Sequence, residues 1–124
     1  MNNKRPKFLA LYQIRLPLPG VVSILHRISG ALLFLTLPLL LWMLQCSLRS
    51  IETYTQLSEA LHHLPAKLFL LAVLWAFLHH FCAGIRYLAI DLQLASSLAR
   101  ARSSSRWVLA VSLALTASIG VWLW

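Results

Sequence analysis

The stretch VVSILHRISGALLFLTLPLLLW, Val21 to Trp42, sets the problem of this sequence. It is apolar enough to open a membrane-crossing helix, which needs roughly 20 residues. Yet Ser23, His26, Arg27 and Gly30 sit close together near its start. They stand three and four residues apart, so a helix places them on one face: a hydroxyl, an imidazole and a guanidinium, then a glycine that leaves room beside them. An arginine at the edge of hydrocarbon is costly and marks a function or a partner, unless it simply snorkels to the headgroups. Snorkelling accounts for Arg27. It does not account for the clustering of Ser23 and His26 with it.

The rest of the chain sets that stretch in lipid. Of 124 residues 60% are hydrophobic, and eleven Lys or Arg stand against three Asp or Glu. A soluble domain of this size could not hide so much apolar surface. The net charge of +8 does not argue for nucleic acid, because the basic residues are scattered between apolar runs and form no stripe. Three apolar blocks stand out, at about 21–46, 66–92 and 107–124. They predict an all-α membrane protein of three transmembrane helices, residues 21–124, preceded by an interfacial segment, residues 1–20. Helices are the solution for an open chain in lipid, since every backbone group must be paired internally. Pro17, Pro19 and Gly20 break the chain before the first span, Pro65 opens the second, and Pro38 is placed to kink the first. Trp42, Trp107, Trp122 and Trp124 stand near span ends, where aromatic anchors belong.

Lys4, Arg5, Lys7 and Arg15 precede the first span, and Arg100, Arg102 and Arg106 separate the second from the third. The other loop, about 47–65, sets Arg49 against Glu52 and Glu59. The positive-inside rule therefore predicts a cytoplasmic N-terminus and an outside C-terminus. Arg15 and two prolines interrupt what would be the apolar core of a signal peptide. The segment from Phe8 to Leu18 is expected along the membrane surface or against a partner.

The second span holds HHFCAGIRYLAID, His79 to Asp91. His80, Gly84, Tyr87 and Asp91 fall on one stripe, while His79 lies about 100° away with Ala83 and Arg86. A mid-span histidine is costly unless it is paired or ligates something. Gly84, one turn from His80, predicts a flat, open surface of the kind a planar macrocycle needs, and neutral imidazole is the usual axial ligand of haem iron. An interhelical hydrogen bond worth about 1 kcal/mol explains the histidine equally well. Depth favours the first reading. His80 lies roughly 18 Å into its span and Arg27 roughly 9 Å, at 1.5 Å per residue on antiparallel helices. Arg27 and His26 would thus stand about one macrocycle radius away, where anionic propionates need cations.

Other candidates are weaker. His62 and His63 read as solvated, and Cys46 and Cys82 as inert helix residues that fit neither a disulfide framework nor a metal spacing. No phosphate loop, nucleophile triad or carboxylate pair is present, so no catalytic residue is expected.

Two motifs resemble the cytochrome b subunits of succinate dehydrogenase, membrane anchors of respiratory complex II. One begins at Arg5–Pro6 and ends in SILHRISG, Ser23 to Gly30; the other is HFCAGIRYLAID, His80 to Asp91. Their order, distance and three-span setting agree over nearly the whole chain. Lys7, Tyr87 and Ile90 depart from the family's usual residues. The resemblance implies that His80 is one axial ligand of haem b, the other coming from a second small membrane anchor subunit. It implies that His26 and Arg27 lie by the haem propionates and that Ser23 and Arg27 line a ubiquinone pocket facing an iron–sulfur subunit. Succinate oxidation would belong to a flavoprotein subunit, and the complex to the bacterial inner membrane. A haem-free structural anchor and, from another class, a small transporter subunit are the competing expectations. The second of these would require acidic or broken-helix sites at mid-membrane.

Overall fold

The computed structural model describes residues 15–94 and 97–124. The expectations for Lys4, Arg5, Pro6, Lys7 and most of the segment from Phe8 lie outside the described residues. Four helices follow in order: α1 (Leu18–Arg49), α2 (Ile51–His62), α3 (Leu64–Asp91) and α4 (Leu98–Leu123). Three of them, α1, α3 and α4, are long and apolar enough to cross a membrane. At 1.5 Å per residue their 32, 28 and 26 residues span about 48, 42 and 39 Å, more than the roughly 30 Å hydrocarbon core.

Each boundary has a local cause. α1 and α3 start on proline-containing first turns, where the missing N–H would have no partner anyway. α1 runs on through Pro38. Ser50 is extended and is the only residue between α1 and α2, and it caps α2. Its Oγ accepts from the Thr53 backbone N–H at 3.2 Å, and Thr53 Oγ1 accepts from the Ser50 N–H at 3.2 Å. Thr53 Oγ1 also donates to the Cys46 carbonyl at 2.7 Å, tying α2 back to α1. The predicted outer loop is thus mostly an amphipathic helix. α3 ends where Gln93 adopts φ 59°, and the N–H groups of Gln93 and Leu94 satisfy the Ile90 and Ala89 carbonyls in a Schellman pattern.

α4 begins at Leu98, nine residues before the expected Trp107. Its early turns carry Arg100, Arg102 and Arg106, which mask a helix from any reading of apolar runs. Ser97 caps it, accepting from the Arg100 N–H at 3.3 Å. Ser105, Ser112 and Gly120 are its buried positions beside Val108. Such small residues let helix backbones approach closely in lipid.

The core is thin. Val22, Ala83 and Val108, one from each long helix, meet at its centre, with Cys82, Tyr87 and Leu109 against them. Most large apolar side chains point outward, and none of the most apolar window of α1 is buried within the chain. That surface requires lipid or other subunits as its solvent.

Candidate functional site

The site forms where α1 crosses α3. The two helices run antiparallel: His26 packs against His80 and Gly84, while Gly30, one turn further along α1, packs against His80. The imidazoles of His26 and His80 stack with centroids 4.1 Å apart and planes 7° from parallel. A Cβ at Gly30 would come within 2.8 Å of His80 Cε1, so only glycine admits the ring there. The Tyr87 ring lies tilted against His26 at 5.2 Å.

His80 is held by its Nδ1, which lies 3.0 Å from the His26 carbonyl oxygen and 3.4 Å from Ser29 Oγ. A carbonyl can only accept, so Nδ1 carries the proton and Nε2 keeps its lone pair. Nε2 has no hydrogen-bond partner among the described residues. Ser29 is buried and donates to the same carbonyl at 3.0 Å, fixing the acceptor in place.

His79, the neighbour in sequence, is placed differently. It is 0% exposed, and both ring nitrogens are buried with no partner among the described residues. Its ring stacks on Trp75 with centroids 5.2 Å apart. It shares the buried face of α3 with Val73, Ala76, Ala83 and Arg86. A group brought by another subunit could reach His80 without entering the three-helix core, but it could not reach His79.

The polar face predicted on α1 is divided by the packing. His26 and Gly30 look toward α3, Ser23 is half-buried, and Arg27 is exposed at the outer edge. Ser23 and Arg27, one turn apart, therefore present a hydroxyl and a cation to whatever lies beside α1. Gly84, where an open surface was expected, is half-buried, and a Cβ there would stand 3.9 Å from His26 Nε2, in ordinary contact. Gly30, on the opposite helix, makes the room for His80. Among the described residues no group of three His, Cys, Asp or Glu is assembled. Cys46 and Cys82 are free and half-buried. His62 and His63 are exposed.

Arg86 is a residue whose role the sequence did not disclose. It is 7% exposed, yet its Nε donates to Ser104 Oγ at 3.0 Å and its Nη2 to the Ala101 carbonyl at 3.3 Å. Its guanidinium also lies over the Tyr87 ring, 5.2 Å from the centroid. The run of serines at 103–105 was the available signal, since small hydroxyl residues are what an arginine reaches across a helix pair.

Residues 1–119 match the family model described as succinate dehydrogenase/fumarate reductase transmembrane subunit. The chain belongs to this family. The succinate dehydrogenase cytochrome b556 subunit of Coxiella burnetii is 40% identical over the whole of both chains. Those of Rickettsia felis and Paracoccus denitrificans are 32% and 29% identical over 92% of this chain, covering 89% and 88% of their own lengths. The chain is accordingly a multi-pass membrane subunit of this family, and its three long apolar helices form the membrane anchor.

Proposed function

We propose that this subunit binds haem b through His80 Nε2 and contributes Ser23 and Arg27 to the site where ubiquinone takes electrons from succinate oxidation. The observation that carries the haem reading is the Nδ1–H bond from His80 to the His26 carbonyl. Metal-ligating histidines commonly donate their other ring N–H to a carbonyl, which fixes the tautomer and raises the basicity of the free nitrogen. The donor set therefore fits a haem whose second ligand comes from a partner anchor subunit. When bound, haem supplies a one-electron store within the membrane. The exposed Arg27 would neutralise its carboxylates; the His26 ring, stacked 4.1 Å from that of His80, stands nearer the ligand than the macrocycle radius expected for a propionate partner.

The remaining roles belong to the N-terminal end of α1. The Ser23 hydroxyl donates to a quinone carbonyl oxygen and orients the ring. Arg27 stabilises the negative charge that develops on the quinone oxygen. Neither side chain closes a pocket by itself, which agrees with a site completed by the iron–sulfur and second anchor subunits. With the N-terminal and Arg100–Arg106 ends on the cytoplasmic side, both side chains face the compartment from which the flavoprotein's electrons arrive.

The test uses the assembled complex. His80→Leu should abolish or strongly weaken the low-spin haem b signal in a reduced-minus-oxidised spectrum; an unchanged spectrum would rule out His80 as ligand. Ser23→Ala should slow quinone reduction by the equivalent of about 1–3 kcal/mol, the usual cost of one such lost hydrogen bond. Electron transfer from succinate to an artificial acceptor upstream should stay normal. Arg27→Lys separates the pocket from snorkelling. Lysine reaches headgroups as well as arginine does, but it lacks the planar fork. Full quinone turnover in both Ser23→Ala and Arg27→Lys would overturn the pocket assignment.

A further inference from the structure

At the opposite end of the bundle from Ser23 and Arg27, α3 and α4 enclose an open apolar groove of about 940 Å³. Leu68, Leu71, Trp75, Leu113, Ala117 and Val121 form its walls. Gly120 sits against Leu71: a Cβ there would stand 2.7 Å from Leu71 Cδ2. The groove runs along α3 from Leu64 to Trp75, eleven residues or about 16 Å at 1.5 Å each. That is close to half of a roughly 30 Å hydrocarbon core, the depth of one leaflet.

One charged side chain lines the groove. Lys67 sits in the first turn of α3 at the groove's end, its Nζ 5.8 Å from the centroid of the Trp124 ring. That turn carries no acidic residue. The depth of a single leaflet, apolar walls, and a cation beside a tryptophan where the helices end match an amphiphile with an anionic head and hydrocarbon chains. We propose that this groove binds one anionic phospholipid, its phosphate against the Lys67 ammonium and an acyl chain between α3 and α4.

A protein partner is the less favoured occupant. The groove lies about 150° around α3 from His80, at 100° per residue. A subunit that approaches His80 to complete the haem therefore leaves this face to the bilayer; this step alone rests on the haem reading. Leu68, Leu113 and Val121 are exposed along the groove, as lipid contacts should be.

A photo-crosslinker identifies the occupant directly. The purified complex carrying Val121→p-benzoylphenylalanine is reconstituted into vesicles of equimolar phosphatidylglycerol and phosphatidylcholine with matched chains. It is then irradiated, and the adducts are read by mass spectrometry. The expected adduct is lipid, with phosphatidylglycerol enriched over phosphatidylcholine. Lys67→Gln in the same background should lower that enrichment about fivefold, the equivalent of the ~1 kcal/mol that a lysine near an anionic surface contributes. Ala117→Trp, at an exposed groove position, should reduce total lipid adduct by filling the space. An adduct to another subunit would overturn the proposal, as would a lipid ratio equal to that of the vesicles or a ratio unmoved by Lys67→Gln. The haem spectrum of the same sample is a separate readout, so loss of the haem reading and loss of the lipid site are distinguishable.

Discussion

His79 and His80 are chain neighbours about 100° apart on α3, and the packing gives them opposite surroundings. His79 is sealed, stacked on Trp75, with two ring nitrogens lacking partners. An unsatisfied buried polar group is costly, while an apolar group of similar shape is close to neutral or stabilising. His79→Leu should therefore leave the thermal stability of the solubilised complex equal or higher, with the haem spectrum retained. A fall in stability would mean that the His79 nitrogens have partners. Gly30 makes the complementary case. A methyl group there meets His80 Cε1 at 2.8 Å, so Gly30→Ala should displace the ring. The low-spin haem signal should shift or lose intensity although every ligand is present, whereas Gly84→Ala, with its 3.9 Å contact, should change it far less.

Among the elements, α4 packs on the bundle through Ser105, Val108, Ser112 and Gly120 and is pinned near its start by one long side chain from α3. Arg86 crosses from α3 to Ser104 and to the Ala101 carbonyl near the start of α4. Hydrogen bonds to a charged group are worth about 1.5–3 kcal/mol, and a buried arginine is stable only while it keeps them. Ser104→Ala should lower the melting temperature of the detergent-solubilised complex, through loss of one such bond. Haem content should stay unchanged, since Arg86 lies on the His79 face and not on the His80 face. The boundaries of α2 and α4 follow from caps at Ser50 and Ser97. Both were legible in principle as serine before a helical pattern. They were obscured because α2 is short and polar on one side, and α4 opens with arginines that a hydropathy reading assigns to a loop.

At the scale of the whole molecule, three long helices put the start of α1 and the end of α4 at opposite ends of the bundle. Arg15, Arg100, Arg102 and Arg106 gather at one end of the bundle, and Glu52 and Glu59 on α2 sit at the other. By the positive-inside rule we propose that the arginine end is the cytoplasmic one. A reporter active only in the outer compartment should work when fused after Trp124; activity of a cytoplasm-only reporter at that position would invert the molecule. With so little of α1 covered by its own chain, the subunit expressed alone should also be less stable than within its complex, as protease sensitivity in membranes would show.

The sequence by itself determined the three apolar spans, their order, and the residues that carry polar chemistry into them. Apolar runs and i, i+3, i+4 spacing are local properties that need no partner helix to be expressed. Two motifs at the right separation were enough to suggest the family. Tertiary structure decided what those stripes face. It set the rotation of α3 that seals His79 and leaves His80 Nε2 free, the register that puts Gly30 rather than Gly84 beneath the His80 ring, and the α4 partners of Arg86. Each depends on the angle and register at which two helices meet, and that is fixed by close packing along both helices, which no single segment contains.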